Sequence, residues 1–412
     1  VSSEPDGAAA RPATSLLEYH STVAAIDPRA LLLALVAPAG PGTTLAEGIT
    51  LVGVSAELGL RWTLEVDGER VHVEAAPADL GRPHAVATKR LHLGYRLPPA
   101  QRGVRAAEQR GLRACRAIAS AVARNEDAVL APLAGPGAAS GAATHGEPSA
   151  GRIRERRGGE LLELGGTGHR RFYTLSPYVG CLVGCRFCYA QSRLAIARRF
   201  AGLPEVPWGS WVDVRIDAPE TLARETTTHE PLPVKLCPIV SDPYQAVEAR
   251  YGVVRKCLEV LRDAGWHRVL VLTRATLIRR DADVLAAMTG AIAGVSLPTC
   301  DDRVRAHFEP RAASVAERLE TLRRLREAGV STLAVVQPML PGDPVALADA
   351  IAESCDHASL DVLHGEEGAG SDFDAYPEAR SDAWQRERKD TLTRLLVQRG
   401  VALFRDELPD ER

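Results

Sequence analysis

Three cysteines within eight residues constrain this chain more than any other feature. Cys181, Cys185 and Cys188 stand C-x3-C-x2-C in the stretch Ser176-Pro-Tyr-Val-Gly-Cys-Leu-Val-Gly-Cys-Arg-Phe-Cys-Tyr-Ala-Gln191. Thiolates spaced this closely bind metal more readily than they build a disulfide framework. Zinc sites use four ligands, commonly paired Cys-x2-Cys or mixed Cys and His. Here no His or Asp follows within ten residues, so a zinc loop would need a distant fourth ligand. An iron–sulfur cubane held by three thiolates instead leaves one iron open to a substrate or cofactor.

The rest of the composition narrows the setting. At 412 residues the chain has room for two or three domains around one large core. Lys and Arg number 50 against 53 Asp and Glu, which gives no general attraction to nucleic acid or anionic membranes. Eight cysteines in this length is not a disulfide-scaffold density, and their clustering points to a reducing compartment. The apolar run 30–37 is too short to span a bilayer, and the first residues lack the basic and apolar regions of a signal peptide. The expectation is a cytoplasmic protein with no membrane partner.

Along the chain, residues 1–130 read as a small α+β module with no nameable chemistry. Segment 30–37 suits a short buried helix or strand. Segments 49–58 and 60–66 suit strands, and Asp67-Gly68 makes a hairpin turn into 70–74. A further strand is expected over 88–97 and a helix over 101–124, where Cys115 reads as a packed thiol. Residues 131–151 are Gly, Ala, Pro and Ser with almost no bulky side chain, a flexible linker. The basic run 152–157 follows, either a solvated lead-in strand or a phosphate-binding arm. From Phe172 strands and helices alternate: strands over 172–175, 234–239, 267–272, 293–297, 331–336 and 358–363, with helices over 251–264, 282–289, 315–328 and 345–354. Six strands in this rhythm predict a parallel α/β sheet curled into a full or partial barrel over 152–365, with active residues at the C-terminal strand ends. The tail 366–412 is expected to be helical, its helix 384–398 lying outside the barrel or closing its mouth.

The barrel half resembles the radical S-adenosylmethionine (SAM) enzymes, and within them the spore photoproduct lyase-like branch. The cysteine spacing and the aromatic Phe187 before the third Cys match the superfamily. Leu175-Ser-Pro-Tyr-Val-Gly-Cys181, Ser241-Asp-Pro-Tyr-Gln-Ala-Val-Glu248 and Leu272-Thr-Arg-Ala-Thr-Leu-Ile-Arg-Arg-Asp281 are similar to segments of the branch. So are His307-Phe-Glu-Pro-Arg311, Glu317-Arg-Leu319 and Gln337-Pro-Met-Leu-Pro-Gly342, all in order over roughly residues 170–365. The resemblance implies a partial (β/α)6 barrel, a [4Fe–4S] cluster and SAM. It implies an electron donor such as flavodoxin or ferredoxin, and a first step in which SAM is cleaved to methionine and a 5′-deoxyadenosyl radical. The protein's part is to bind and orient, since the cofactor carries the difficult chemistry.

Residue roles follow from the same resemblance. Cys181, Cys185 and Cys188 would ligate the cluster, with Gly180 and Gly184 letting the loop wrap it. Phe187 would shield the cluster and Tyr189 pack beside the adenine, unless either is a plain core aromatic. The superfamily's frequent Gly-Gly-Glu segment is missing; Ser241 and Asp242 stand in its place as acceptors for the SAM amino group, or cap a turn. Arg274 replaces the usual Lys toward the SAM carboxylate, a bidentate-capable substitute. Ser296 would add a small polar contact. Glu309 and Arg311 would line the same mouth or pair with each other. Cys237 is a hydrogen-atom donor candidate, with a buried structural thiol as the alternative. Cys300 follows a strand closely enough to reach the site, whereas Cys257 and Cys355 have no motif.

The leading expectation is a radical SAM enzyme abstracting hydrogen from a small molecule, peptide or nucleotide. Repair of thymine photodimers draws on the same resemblance but needs a basic face for DNA, and the only dense basic runs are 152–157 and 169–171. Transfer of an aminocarboxypropyl group from SAM is a further variant. A non-catalytic iron–sulfur or zinc module is the alternative outside the enzymes, and it would not need Ser241, Asp242 or Arg274.

Overall fold

The structure, a computed structural model, describes residues 28–55, 60–78, 84–97, 101, 103–130, 152–165, 171–200, 206–236, 240–363 and 370–404. The linker expected over 131–151 and Cys237 lie outside the described residues.

The N-terminal module runs α1 (Pro28–Val36), β1 (Thr44–Ala46), β2 (Ile49–Ser55), β3 (Arg61–Val66), β4 (Glu69–Pro77), β5 (Val86–Ala87), β6 (Leu91–Arg96), α2 (Arg105–Val122) and α3 (Glu126–Leu130). Segment 30–37 is therefore helical, its leucines falling on one face against the sheet. The strands form an antiparallel sheet ordered β1-β2-β3-β4-β6-β5. Its hairpin turns on Asp67 (φ 51°) and Gly68 (φ 82°), the left-handed pair that a two-residue connection requires. Alternation along β3 and β4 puts Trp62, Leu64, Val71 and Val73 against Leu32, Leu35 and Ile118. Cys115 is buried in this core, and burial pushes its thiol up to about 12.

The second half runs β7 (Arg152–Arg156), β8 (Leu162–Gly165), β9 (Phe172–Leu175), β10 (Tyr178–Val179), α4 (Ala190–Phe200), β11 (Trp211–Arg215), α5 (Ala218–Thr228), β12 (Val234–Leu236), α6 (Glu248–Tyr251), α7 (Val253–Asp263), β13 (Val269–Thr273), α8 (Ala282–Ala286), β14 (Ile292–Ser296), α9 (Asp302–Phe308), α10 (Val315–Glu327), β15 (Ser331–Val336), α11 (Pro344–Ser354), β16 (His357–Leu360), α12 (Asp382–Gln398) and β17 (Ala402–Phe404). Strands β9, β12, β13, β14, β15, β16 and β17 pair in parallel in that order, and β8 adds antiparallel beside β9. Helices cover the outer face, so β14 is buried along its whole length. This is the partial α/β barrel that the alternation predicts. The helices start where the sequence signals them: Ser314 and Glu317 form a capping box on α10, and Asp343 caps α11 ahead of Pro344.

Two expectations need correction. The tail is not simply helical: β17 extends the sheet beside β16, because the edge of β16 carries unpaired backbone groups that a parallel strand satisfies. The basic run 152–157 is no phosphate arm. It forms β7 parallel to β11, and Arg154 is held by the buried Asp213, with its Nε donating at 2.8 Å. Arg323 and Arg324 pair with Glu320 on the solvated face of α10.

Candidate active site

The cysteine loop leaves the C-terminal end of β9. Gly180 (φ 86°) and Gly184 (φ 64°) turn it in the left-handed region. A Cβ on Gly180 would run into the Trp211 ring, and one on Gly184 into the Arg311 guanidinium. Neighbours hold the loop at several points. Ser241 Oγ donates to the Gly180 carbonyl (2.6 Å), and the Leu182 N–H donates to Gln245 Oε1 (2.7 Å). Arg311 reaches the Leu182 carbonyl with Nε and the Gly209 carbonyl with Nη2, while the Trp208 indole donates to the Cys185 carbonyl (3.2 Å). The Arg186 N–H donates to the Phe308 carbonyl (2.8 Å).

Cys181 and Cys185 are buried and Cys188 is half-buried, packed with Phe187, Phe308 and Phe373. Burial raises all three thiols, Cys181 to about 12. The charge of Arg274 opposes that rise at Cys185 and Cys188, and Cys185 feels both other sulfurs. Among the described residues no three His, Cys, Asp or Glu side chains converge as a ready site for a single metal ion. The residues fit a cluster by other observations: the three thiols share one apolar cluster, Cys185 feels both other sulfurs and the buried Arg274, and the loop's glycines admit no side chain.

The strand ends opposite supply the other predicted residues. Asp242, buried, accepts from the Tyr244 N–H (2.9 Å), from Thr273 Oγ1 and from the Arg274 N–H (2.7 Å). Burial nevertheless raises its pKa, against the pull of these hydrogen bonds and the Arg274 charge. Both halves of the Ser241-Asp242 pair are thus engaged within the chain, Ser241 on the cysteine loop and Asp242 on the end of β13. Arg274 donates from Nε to Glu309 Oε1 (2.6 Å), and its guanidinium carbon lies 5.7 Å from the Phe187 ring centre. Burial alone would lower its pKa; Cys185 and Glu309 more than offset this. Glu309 also meets Arg318 at 2.6 Å, so it does not pair with Arg311 as one expectation had it. Ser296 Oγ is buried with no hydrogen-bond partner among the described residues. Tyr189 is half-buried with the Arg193 guanidinium 5.0 Å from its ring centre.

Other motif residues turn out to brace the barrel. Glu248 accepts from Tyr178 Oη and the Val254 N–H and pairs with Arg280. Asp281 accepts from Tyr244 Oη (2.9 Å) and pairs with Arg255 and Arg280. Cys257 is buried in the same core, and Cys355 in the core beneath β15 and β16. Cys300 lines a cavity with Leu340, Leu347 and Leu392, its thiol donating to the Asp343 carbonyl, and it packs with the β15–α12 core rather than with the cysteine loop.

Sequence reasoning missed the roles of Arg318, of Gln385 and of the segment 370–380. Arg318 stands inside the motif segment Glu317-Arg-Leu319, but nothing in the sequence ties it to Glu309. Gln385 on α12 is fully engaged: Oε1 accepts from the Met339 and Leu363 N–H groups, and Nε2 donates to the Met339 and Ala379 carbonyls. Phe373 and Tyr376 stack around Phe308, and Asp372 pairs with Arg186, so segment 370–380 covers the cysteine loop.

The Radical SAM superfamily model matches residues 175–354, the span from the end of β9 through α11. This chain carries a radical SAM domain. Enzymes of that superfamily use a [4Fe–4S] cluster and SAM. An uncharacterized protein of Methanocaldococcus jannaschii is 25% identical over 169 residues, 41% of this chain and 61% of that one. An uncharacterized protein of Acidianus two-tailed virus is 28% identical over 190 residues, 45% of this chain and 62% of that one. This chain therefore spans about three fifths of the length of these relatives. Among solved structures, a spore photoproduct lyase variant aligns with TM-score 0.47 and 16% identity over 61% of this chain and 81% of that chain. No helix of the described residues is long and apolar enough to cross a membrane.

Proposed function

We propose that this radical SAM domain belongs to an enzyme of the photoproduct lyase-like branch and removes a hydrogen atom from a small-molecule, peptide or nucleotide substrate. Cys181, Cys185 and Cys188 hold three irons of a [4Fe–4S] cluster. When bound, cluster and SAM supply a one-electron cleavage to methionine and a 5′-deoxyadenosyl radical, the electron coming from a donor such as flavodoxin or ferredoxin. The carrying observation is the placement of Arg274 beside the cysteine thiols, two of them buried and one half-buried, with Ser296 at the adjacent strand end. Arg274 offers a guanidinium to the SAM carboxylate, and Ser296 offers a hydroxyl. Phe187 and Phe308 keep water from the sulfurs, and Tyr189 flanks the adenine. Asp242 serves by fixing the Arg274 backbone, and Ser241 by fixing Gly180.

Anaerobic reconstitution with iron and sulfide tests this. About four irons per chain are expected, abolished when all three cysteines become Ala. With dithionite and SAM, the nucleoside product is 5′-deoxyadenosine. Uptake of one zinc and no iron would sink the proposal, and methylthioadenosine would replace it with aminocarboxypropyl chemistry.

A further inference from the structure

Arg274, Glu309 and Arg318 form a buried chain of charge behind the strand ends. Glu309 is fully buried and Arg318 keeps 1% of its side chain exposed. Arg318 donates from Nε to the Ala313 carbonyl (2.9 Å) and from Nη1 to the Ser296 carbonyl (2.8 Å), and meets Glu309 Oε2 with Nη2 (2.6 Å). The other Glu309 oxygen takes the Arg274 Nε–H. The Arg274 backbone is pinned as well, its N–H on Asp242 and its carbonyl on the Ala313 N–H (3.2 Å).

One side chain from α10 thereby fixes two neighbouring strand ends. Arg318 holds Ser296 on β14 directly, and holds Arg274 beyond β13 through Glu309. Binding Nε sets the plane of the Arg274 guanidinium. Its Nη nitrogens make no hydrogen bond within the described residues, and 12% of the side chain stays open. Ser296 Oγ, equally unpartnered, sits on the adjacent strand end. Stability alone does not call for such a triad, since apolar side chains of similar volume commonly replace buried ion pairs without loss.

We propose that Glu309 and Arg318 are positioning residues for carboxylate recognition: they hold Arg274 and Ser296 at the spacing that receives the carboxylate of SAM. This rests on the reading in which Arg274 meets that carboxylate.

The test uses the reconstituted full chain and measures SAM binding by equilibrium dialysis without reductant. The variants are the double Glu309→Leu/Arg318→Met, which removes both charges together, and Arg274→Met as reference. Decarboxylated SAM serves as the ligand lacking the carboxylate. The double variant is expected to keep wild-type iron content and to bind SAM at least about tenfold more weakly, approaching Arg274→Met. Decarboxylated SAM is expected to bind wild type and double variant alike. An affinity for SAM within twofold of wild type would overturn the proposal, as would an equal loss for the decarboxylated ligand. Should the double variant fail to fold, Glu309→Gln is read the same way, because its single amide oxygen can accept from Arg274 or from Arg318 but not from both, which breaks the chain between them. A wild type that binds iron but no SAM would overturn the proposed function; a wild type that binds SAM beside an unaffected variant overturns the positioning role alone.

Discussion

Ser296 ends β14 with a hydroxyl that has no hydrogen-bond partner among the described residues, although a buried hydroxyl left so costs about 1–3 kcal/mol. Removing it therefore relieves the fold. Ser296→Ala is expected to leave the thermal midpoint unchanged or higher and to weaken SAM binding about fivefold to tenfold, roughly the worth of one hydrogen bond. A lowered midpoint with unchanged affinity would make the hydroxyl structural. Asp242 is the opposite case. It is equally buried but bonded to Tyr244, Thr273 and Arg274, so Asp242→Ala strands those donors and should destabilise the protein by about 3 kcal/mol in urea unfolding. From the sequence both residues read alike, as polar groups at strand ends. Which was spent on the fold and which was left open depends on neighbours 31 or 32 positions away in the chain.

At the scale of elements, α12 buries Leu392 and Leu396 in the barrel core and is tied to the mouth by the Gln385 amide. Gln385→Leu keeps the helix and its volume but leaves the Met339 and Leu363 N–H groups and two carbonyls without partners. A loss on the order of 3 kcal/mol is expected, read as a lowered denaturant midpoint with the slope unchanged. In β4, His72 lies against Thr63 and among Arg61, Arg70 and Arg96, and burial, reinforced by those arginines, brings its pKa down to about 4. The unfolded chain takes up this proton near 6.5 and the folded chain only near 4. Stability from this group is thus complete above pH 6.5 and falls as pH drops toward 4. Urea midpoints of wild type and His72→Gln should converge over that window; a constant difference would refute the burial reading. Periodicity made the helices and parallel strands legible, because each buries one face or both. The short strands β8, β10, β11 and β17 escaped it: two to five residues hold too little pattern, and they exist because a neighbouring edge offers hydrogen bonds.

Across the whole molecule, the N-terminal sheet meets the barrel through charge and a little apolar surface. Arg61 on β3 pairs with Glu163 on β8, with only 11% and 16% of the side chains exposed, and Ile196 of α4 joins the N-terminal core. Arg61→Ala should loosen this contact while leaving the barrel's SAM affinity intact, visible as faster hydrogen exchange confined to β3 and β8. Exchange spreading into β13 and β14 would show that the two halves fold as one. The sequence by itself determined the cysteine trio, the parallel barrel and the order of the strand ends, since spacing and hydrophobic period are local properties of the chain. Only the tertiary structure decided which polar groups face each other. The motif residues Glu248 and Asp281 became braces, Arg318 entered behind the mouth, and the tail folded over the cysteine loop. The reason is physical: a buried charge or amide must find its partner somewhere, and that partner lies wherever packing brings it, at distances along the chain that no local pattern encodes.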